Sequence, residues 1–154
     1  MTKKFKEKFA AHGINESSLI FEGNSPKKEY FESYGKIDIA LDPFPYNGGT
    51  TSLDSLWMGV PIITLKGDRL MGRVGTSYNK SLGFPEFIAY SHEEYVEKAV
   101  ELANNVEKLE AISKNLREKL KKSASFDYEK FIIDFEKLLK NIWRKHLENQ
   151  KKAS

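Results

Sequence analysis

The segment "LDPFPYNGGTTSLDSLWMGVPIITL", residues 41–65, decides the fold class. It joins the apolar run "IDIAL" (37–41) to the apolar run "PIITL" (61–65) through a glycine-rich loop and a short helical stretch. Short apolar runs that alternate with helices are typical of parallel βαβ units with right-handed crossovers. We therefore predict an α/β protein whose parallel sheet is covered by helices on both faces.

Two further runs, "LIFE" (19–22) and "FIAY" (87–90), are predicted strands. Helices are predicted from the start of the chain to Gly13, and near 73–82. Between them, another helix is predicted to begin with Ser25 as N-cap, with Pro26 at its first position, and to end at Gly35.

Residues 91–154 contain neither glycine nor proline and predict three helices. Ser91 and Glu94 have the spacing of a capping box. Apolar side chains spaced by three and four predict buried faces on these helices. They are Tyr95, Ala99 and Leu102, then Val106, Leu109, Ile112, Leu116 and Leu120, then Phe131, Phe135, Leu138, Ile142 and Trp143. We predict one domain over 1–154, with an α/β part (1–90) and a helical part (91–154) packing on it.

Composition narrows the function classes. The 154-residue chain has no cysteine, which excludes disulfides, thiolate zinc sites and a cysteine nucleophile. Its first residues do not resemble a signal peptide, and no run of about 20 apolar residues occurs. The net charge of +3 comes from alternating Lys and Glu, typical of solvated helix faces. We expect a cytoplasmic protein that binds neither nucleic acid nor membrane.

The glycine loop is the candidate binding site. Ligands of parallel α/β sheets bind beyond the carboxyl ends of the strands, where this loop lies. Gly48 and Gly49 let the backbone turn and approach a ligand, and Thr50 and Thr51 offer amides and hydroxyls at a helix N-terminus that favours phosphate. The alternative is a simple turn followed by a capping box over Thr51–Asp54.

The segment "DPFPYNGGTTSLDSLWMGVPIITLKGD", with "RVGTSYNKSLGFPEFIAYSHEEYVEKAVELA" after it, resembles the catalytic region of O-linked N-acetylglucosamine transferases. The similarity is greatest to bacterial members that carry tetratricopeptide repeats, and it extends to "FDYEKFIIDFEKLLKNIW". The resemblance implies a GT-B enzyme, of which this chain is the Rossmann-like C-terminal lobe, incomplete at its N-terminus and ending in a helical tail.

The resemblance also implies site residues. Thr50 and Thr51 match the threonine pair that meets the diphosphate, after Gly48 and Gly49, and Asp54 matches the aspartate that faces the ribose hydroxyls. In "GNSPKKEYFES", Lys27 matches a ribose-contacting lysine and the backbone at Ser25 matches the part that reads uracil. Tyr30 stands where animal enzymes have a histidine, and Ser33 and Gly49 replace an arginine and a second histidine.

The implied function is transfer of N-acetylglucosamine from UDP-N-acetylglucosamine to Ser or Thr of a protein acceptor. The family's N-terminal lobe, with its catalytic histidines, and a diphosphate-neutralising lysine have no counterpart in the sequence. We therefore expect this chain alone to be inactive, with no catalytic residue of its own. The missing lobe or a tetratricopeptide region would act in cis or in trans. No metal and no cofactor are expected.

Other readings stay open. Related enzymes use UDP-glucose or GDP-fucose, and the chain could instead be a non-catalytic nucleotide-binding or interaction remnant. His12, His92 and His146 are interpreted as surface residues. Arg69 and Arg73 could face the ligand or solvent equally well, and Asp42 is a candidate loop-anchoring carboxylate.

Overall fold

The computed structural model describes residues 2–153, with side chains described over residues 2–150. The chain forms two compact units, one that ends at Tyr30 and one that begins at Phe31. The single domain predicted for residues 1–154 stays a prediction.

The first unit is built on helix α1, Thr2–Ala11. The chain leaves this helix through Gly13, whose φ of 77° is the left-handed conformation expected of a glycine after a helix. The strand predicted over residues 19–22 is wrong. That segment forms no strand, and Ile20 is 83% exposed. An apolar run predicts a strand only where a neighbouring strand can pair with it.

Helix α2 spans Lys27–Ser33, and a 3-10 turn over Tyr34–Lys36 follows it. The Pro26 carbonyl accepts the amide of Tyr30 at 2.9 Å, which closes the first helical turn. Pro26 therefore takes the N-cap position predicted for Ser25, one residue later in the chain, and the helix ends slightly before the predicted stop at Gly35.

The second unit contains a parallel sheet in the order β1-β2-β3. Its strands are β1 (Ala40–Leu41), β2 (Ile62–Leu65) and β3 (Ile88–Ala89). Ala40 pairs with Ile62, and Thr64 pairs with Ile88. The runs predicted at 37–41, 61–65 and 87–90 thus all contain strands, each shorter than the apolar run, and their parallel pairing is confirmed.

The helices of this unit either connect the strands or follow the last strand. They are α3 (Thr50–Trp57), α4 (Val74–Leu82), α5 (His92–Asn104), α6 (Val106–Lys121) and α7 (Tyr128–Ala153). Helices α4 and α5 pack on β2, and α6 packs on α3 and α5. The core between the helices and the sheet is buried: Ile63, Leu116 and Leu120 are each 0% exposed.

The N-cap bond of the capping box predicted at the start of α5 is confirmed, whereas its reciprocal bond is shifted by one residue. The Glu94 amide donates to the Ser91 hydroxyl oxygen at 3.1 Å. In return, the Glu94 carboxylate accepts the amide of Tyr90, rather than that of Ser91, at 2.6 Å. The start of α5 is therefore held on both sides of its N-cap.

Burial of the tail follows the prediction only in part. Tyr95, Leu102, Ile112, Leu116 and Leu120 are buried, whereas Val106, at the first position of α6, is 69% exposed. The buried face predicted for the last helix is wrong, since Phe131, Phe135, Leu138, Ile142 and Trp143 are 49–65% exposed. Helical spacing shows which face is apolar, but not whether another element covers it.

Within residues 2–153, no helix is both long and apolar enough to cross a membrane.

Candidate glycine-loop site

The glycine loop runs from the end of β1 to the first residue of α3. Its base is buried, with Asn47 at 1% exposure and Gly48 also buried, whereas Gly49, Thr50 and Thr51 are exposed. The Phe44–Pro45 peptide bond in this loop is cis. The loop therefore presents the Gly49–Thr51 backbone to solvent from a base that is fixed in the protein.

Asp42 anchors the base of the loop. It directly follows β1 and is 2% exposed. Its Oδ1 accepts the Gly48 amide and the Ser52 hydroxyl, each at 2.9 Å. Its Oδ2 accepts the Thr64 hydroxyl at 2.7 Å. The prediction of a loop-anchoring carboxylate is confirmed. The same carboxylate also accepts hydrogen bonds from the first turn of α3 and from strand β2.

Asn47 ties the loop to the segment that follows β2. Its amide donates to the Met71 carbonyl at 3.0 Å. Its side-chain Nδ2 donates to the Pro43 carbonyl at 3.0 Å. Within the described part of the chain, the Asn47 Oδ1 atom is buried without a hydrogen-bond partner. The loop is thus fixed at both its entry and its middle.

Helix α3 begins without a side-chain cap. Its N-cap residue is Gly49, and the first closing bond runs from the Leu53 amide to the Gly49 carbonyl at 3.2 Å. The capping box considered for Thr51–Asp54 is not formed, because the helix already begins at Thr50. The amide end of α3 is therefore exposed next to the glycine backbone, where the helix dipole favours an anion.

Gly48 and Gly49 contribute differently. Neither has a positive φ, so the pair is not required by a left-handed turn. A Cβ at Gly48 would lie within 3.0 Å of both Ser52 Oγ and Thr51 Oγ1, whereas a Cβ at Gly49 would meet no atom within 4 Å. Gly48 is needed for close packing of the loop against α3, whereas the space next to the Gly49 backbone is open.

Asp54 lies on α3, about one turn beyond the exposed amides. It is half-buried and lines an aromatic groove of about 400 Å³. The other residues of this groove are Phe31, Leu53, Trp57, Met58 and Phe126. The Trp57 and Phe126 rings stack there with centroids 6.0 Å apart. Asp54 is thus the polar group of an otherwise apolar surface beside the helix start.

Five of the eight predicted site residues, Gly48, Gly49, Thr50, Thr51 and Asp54, come together on this loop and helix. Ser25, Lys27 and Tyr30 belong to the first unit. Ser25 and Lys27 are exposed there, and Tyr30 is half-buried.

Two tyrosines contact the site although nothing in the sequence indicates these contacts. The Tyr34 hydroxyl donates to the Thr51 carbonyl at 3.3 Å. The Tyr95 hydroxyl donates to the Asp42 carbonyl at 2.9 Å. Burial, with a smaller contribution from the Asp42 carboxylate, raises the pKa of Tyr95 from 10.0 to about 12. The same two causes, in the same order, raise the pKa of Tyr78 on α4. The Tyr95 hydroxyl is therefore a neutral hydrogen-bond donor at physiological pH.

The remaining candidates contribute little to this loop. Arg73 Nε donates to the Gly67 carbonyl at 3.1 Å, a contact within the segment after β2, and Arg69 is exposed. The predicted surface exposure of His12, His92 and His146 is confirmed. His92 packs edge-on against Phe44, with ring centroids 4.9 Å apart. Over the described residues, no three His, Asp or Glu side chains form a group that could hold a metal ion.

The sequence profile described as "Glycosyl transferase family 41" matches residues 2–135 of the chain. The chain belongs to glycosyl transferase family 41. The matched region contains the whole glycine-loop site and the Ser25–Tyr30 segment.

Two relatives illustrate membership of family 41. The chain is 38% identical over 120 residues to a probable UDP-N-acetylglucosamine–peptide N-acetylglucosaminyltransferase SPINDLY from Solanum lycopersicum. That alignment covers 78% of this chain and 13% of the relative. A UDP-N-acetylglucosamine–peptide N-acetylglucosaminyltransferase from Caenorhabditis elegans is 32% identical, with coverages of 87% and 12%. The chain thus spans about an eighth of the length of these relatives.

A solved family structure confirms the fold class. An O-GlcNAc transferase variant from Thermobaculum terrenum superposes with a TM-score of 0.82 and 31% sequence identity. The match covers 92% of this chain and 27% of that protein. The parallel sheet with its helices is therefore part of a Rossmann-like lobe of the GT-B architecture, as predicted.

Proposed function

We propose that this chain is the UDP-sugar-binding part of a protein O-glycosyltransferase, which transfers N-acetylglucosamine from UDP-N-acetylglucosamine to Ser or Thr. The observation that carries the proposal is the uncapped N-terminus of α3, exposed beside an open glycine backbone. Backbone amides at a helix start suit the diphosphate of a nucleotide sugar. The names of the relatives support the same donor and a peptide acceptor.

The proposal assigns each residue a role. Thr50 and Thr51 donate amides and hydroxyls to the diphosphate, and Gly48 and Gly49 shape the backbone that approaches it. Asp54, half-buried on the same helix, accepts hydrogen bonds from the ribose hydroxyls. Lys27, Tyr30 and the backbone at Ser25 contact the nucleoside, a role that rests on the family resemblance.

The glycosyl-transfer reaction explains why hydrogen-bond donors next to the diphosphate are important. The acceptor hydroxyl oxygen forms a bond to the anomeric carbon, and the bond from that carbon to the β-phosphate oxygen breaks. The bonding electrons leave with UDP, so negative charge grows on the diphosphate. Fixed N–H donors at the helix start stabilise that charge as it develops. The proposal needs no metal and no cofactor, and it assigns the base for the acceptor proton to another part of the transferase.

That other part is the proposed partner. The chain spans 27% of the solved relative, and we place the rest of a transferase, in cis or in trans, against the apolar stripe of α7. Phe131, Phe135, Leu138 and Ile142 form this stripe on a 26-residue helix and are 49–65% exposed. An apolar patch this long is typical of an interaction surface. We propose a cytoplasmic location and no activity of the chain alone.

Calorimetric titration of the purified chain with UDP and then GDP tests donor binding. We expect selective UDP binding that Thr50→Ala and Asp54→Ala both weaken. Glu97→Ala, which removes an exposed carboxylate from α5, is the matched control and should bind like the wild type. GDP preferred over UDP would indicate another donor. No binding by a folded chain would contradict the proposal and favour a non-catalytic remnant.

Mixing this chain with the rest of a transferase tests the proposed partner. The part of the Thermobaculum terrenum enzyme outside the matched region would be combined with this chain and followed by size-exclusion chromatography and by transfer to a peptide. We expect a complex that Phe135→Lys with Leu138→Lys abolishes. Lys137→Glu changes a neighbouring charge outside the stripe and should leave the complex intact. A complex that survives the stripe substitutions would overturn α7 as the interface.

A further inference from the structure

Asp42 is hydrogen-bonded to more parts of the structure than anchoring the loop alone would require. Its carboxylate accepts hydrogen bonds from the loop at Gly48, from α3 at Ser52 and from β2 at Thr64, at 2.7–2.9 Å. Its own amide donates to the Ile63 carbonyl at 2.9 Å. Through its carbonyl it also accepts the Tyr95 hydroxyl from α5.

The surroundings leave the carboxylate little freedom to move. Asp42 is 2% exposed. A Cβ built on Gly75 of α4 would lie within 3.0 Å of both Asp42 Oδ2 and Thr64 Oγ1, so α4 packs against the carboxylate without an intervening side chain. Buried carboxylates that accept several well-aligned donors are rigid parts of a structure. The position of Asp42 is therefore determined by strand, loop and helix together.

We propose that Asp42 is a positioning residue for nucleotide-diphosphate binding. It does not touch the ligand. It sets the distance between the Gly48–Gly49 backbone and the first turn of α3, because one oxygen, Oδ1, accepts from both Gly48 and Ser52. The amides at Thr50 and Thr51 lie between these two bonded residues, so their direction is fixed before the diphosphate arrives. This inference rests on the proposed function and deepens it.

The negative charge of Asp42 means that the direction of the change in UDP affinity, when Asp42 is substituted, tests the proposal. A carboxylate this close to the start of α3 repels a diphosphate bound there, so its charge alone opposes binding. Asp42→Asn removes the charge, and should therefore strengthen UDP binding if the loop keeps its shape without the carboxylate. The same substitution weakens UDP binding if orientation of the amides is the dominant effect, because the neutral Asn oxygen is a weaker acceptor for Gly48 and Ser52 than the carboxylate, and the Asn Nδ2 forces the Thr64 hydroxyl to accept instead of donate. We expect the second result.

The test compares UDP with uridine by NMR titration. Asp42→Asn should lower UDP affinity by about tenfold while uridine affinity changes little, since the nucleoside does not reach the amides. Ser52→Ala, which removes only the bond from α3, should lower the UDP-to-uridine affinity ratio in the same direction and serves if Asp42→Asn does not fold. Asn79→Ala is the control, because it removes a buried polar side chain elsewhere in the core and should leave the ratio unchanged. A folded Asp42→Asn chain that binds UDP as well as, or better than, the wild type overturns the proposal.

A second readout separates this inference from the proposed function. Hydrogen exchange of the Gly48 amide needs no ligand, and we expect it to accelerate in Asp42→Asn and in Ser52→Ala. Wild-type protein that fails to bind UDP contradicts the proposed function. Exchange at Gly48 that is unchanged in both variants contradicts the positioning role of Asp42, whatever the result with UDP.

Discussion

The Tyr95 hydroxyl donates a hydrogen bond of 2.9 Å to the backbone carbonyl of Asp42, across 53 positions of sequence. This bond joins helix α5 to the end of strand β1, where the glycine loop begins. Tyr95 is 8% exposed, so its hydroxyl has exchanged water for one protein acceptor. The helical tail therefore supports the candidate site through this polar contact inside the core.

Tyr95→Phe removes this bond and leaves the Asp42 carbonyl without its donor. We expect the free energy of unfolding to fall by about 1 kcal/mol near neutral pH, the usual net value of a buried hydrogen bond. Denaturant unfolding followed by circular dichroism would measure it. An unchanged midpoint would show that the contact does not contribute to stability.

The same tyrosine predicts a pH dependence. Because its pKa is raised to about 12 in the folded protein, the folded state holds the phenol proton more tightly than the unfolded state does. The stability that this provides is complete below pH ~10 and is lost as the pH rises through ~12. We expect the difference in unfolding free energy between wild type and Tyr95→Phe to shrink between these values. A constant difference would contradict the raised pKa.

The two loop glycines should respond differently to a methyl group. Gly48→Ala forces its Cβ against Ser52 and Thr51 and should cost roughly 1–3 kcal/mol of stability, the typical cost of overpacking. Gly49→Ala is the internal control, since its Cβ would meet open space, and should stay within about 0.5 kcal/mol of wild type. Thermal unfolding of both variants tests the contrast, which equal losses would refute.

The exposure of α7 is open to direct test. Phe135→Lys and Leu138→Lys replace side chains that are 49% and 54% exposed, so each should change the stability of the isolated chain by no more than about 0.5 kcal/mol. Leu116→Ala, at 0% exposure on α6, should cost roughly 2–5 kcal/mol. A large loss in the α7 variants would place that helix against the core.

Asn79 holds α4 to the sheet. Its Nδ2 donates to the Ile62 carbonyl at 3.1 Å, and Asn79 is 0% exposed. We expect Asn79→Ala to cost roughly 1–3 kcal/mol, because a buried carbonyl is left unsatisfied. The exposed Asn115 on α6 also bonds a carbonyl, that of Ala111, and Asn115→Ala should cost little because water replaces it. Chemical unfolding of both variants would show whether burial sets the difference.

Local features of this fold could be predicted from the sequence. The apolar run at 61–65 became β2 because a buried parallel strand needs little more than β-branched residues between turns. Likewise, Ser91 and Glu94 capped α5 because a capping box is complete within four residues. The glycine loop followed from its place between a strand and a helix.

Features that depend on distant partners could not be predicted in the same way. The segment at 19–22 has the composition of a strand, but the described residues of the first unit form no strand that could pair with it. The apolar face of α7 has no covering element in the described chain. The links of Asp42 to Thr64 and Tyr95 span 22 and 53 positions. Nothing in the spacing of these residues indicates that they meet.

The order of the strands in space is the order of the strands in the chain, β1 beside β2 and β2 beside β3. Each strand can therefore find its partner as soon as the intervening loop and helix have formed, without waiting for a distant segment. Each pairing nevertheless closes a crossover of 22 residues (Ala40 to Ile62) or 24 residues (Thr64 to Ile88), and the entropy lost in closing such loops makes parallel sheets slower to form than structures with local contacts. The anchoring bond from Thr64 to Asp42 forms within the first of these crossovers, so the glycine loop can take its shape before α5 and α6 have joined the core.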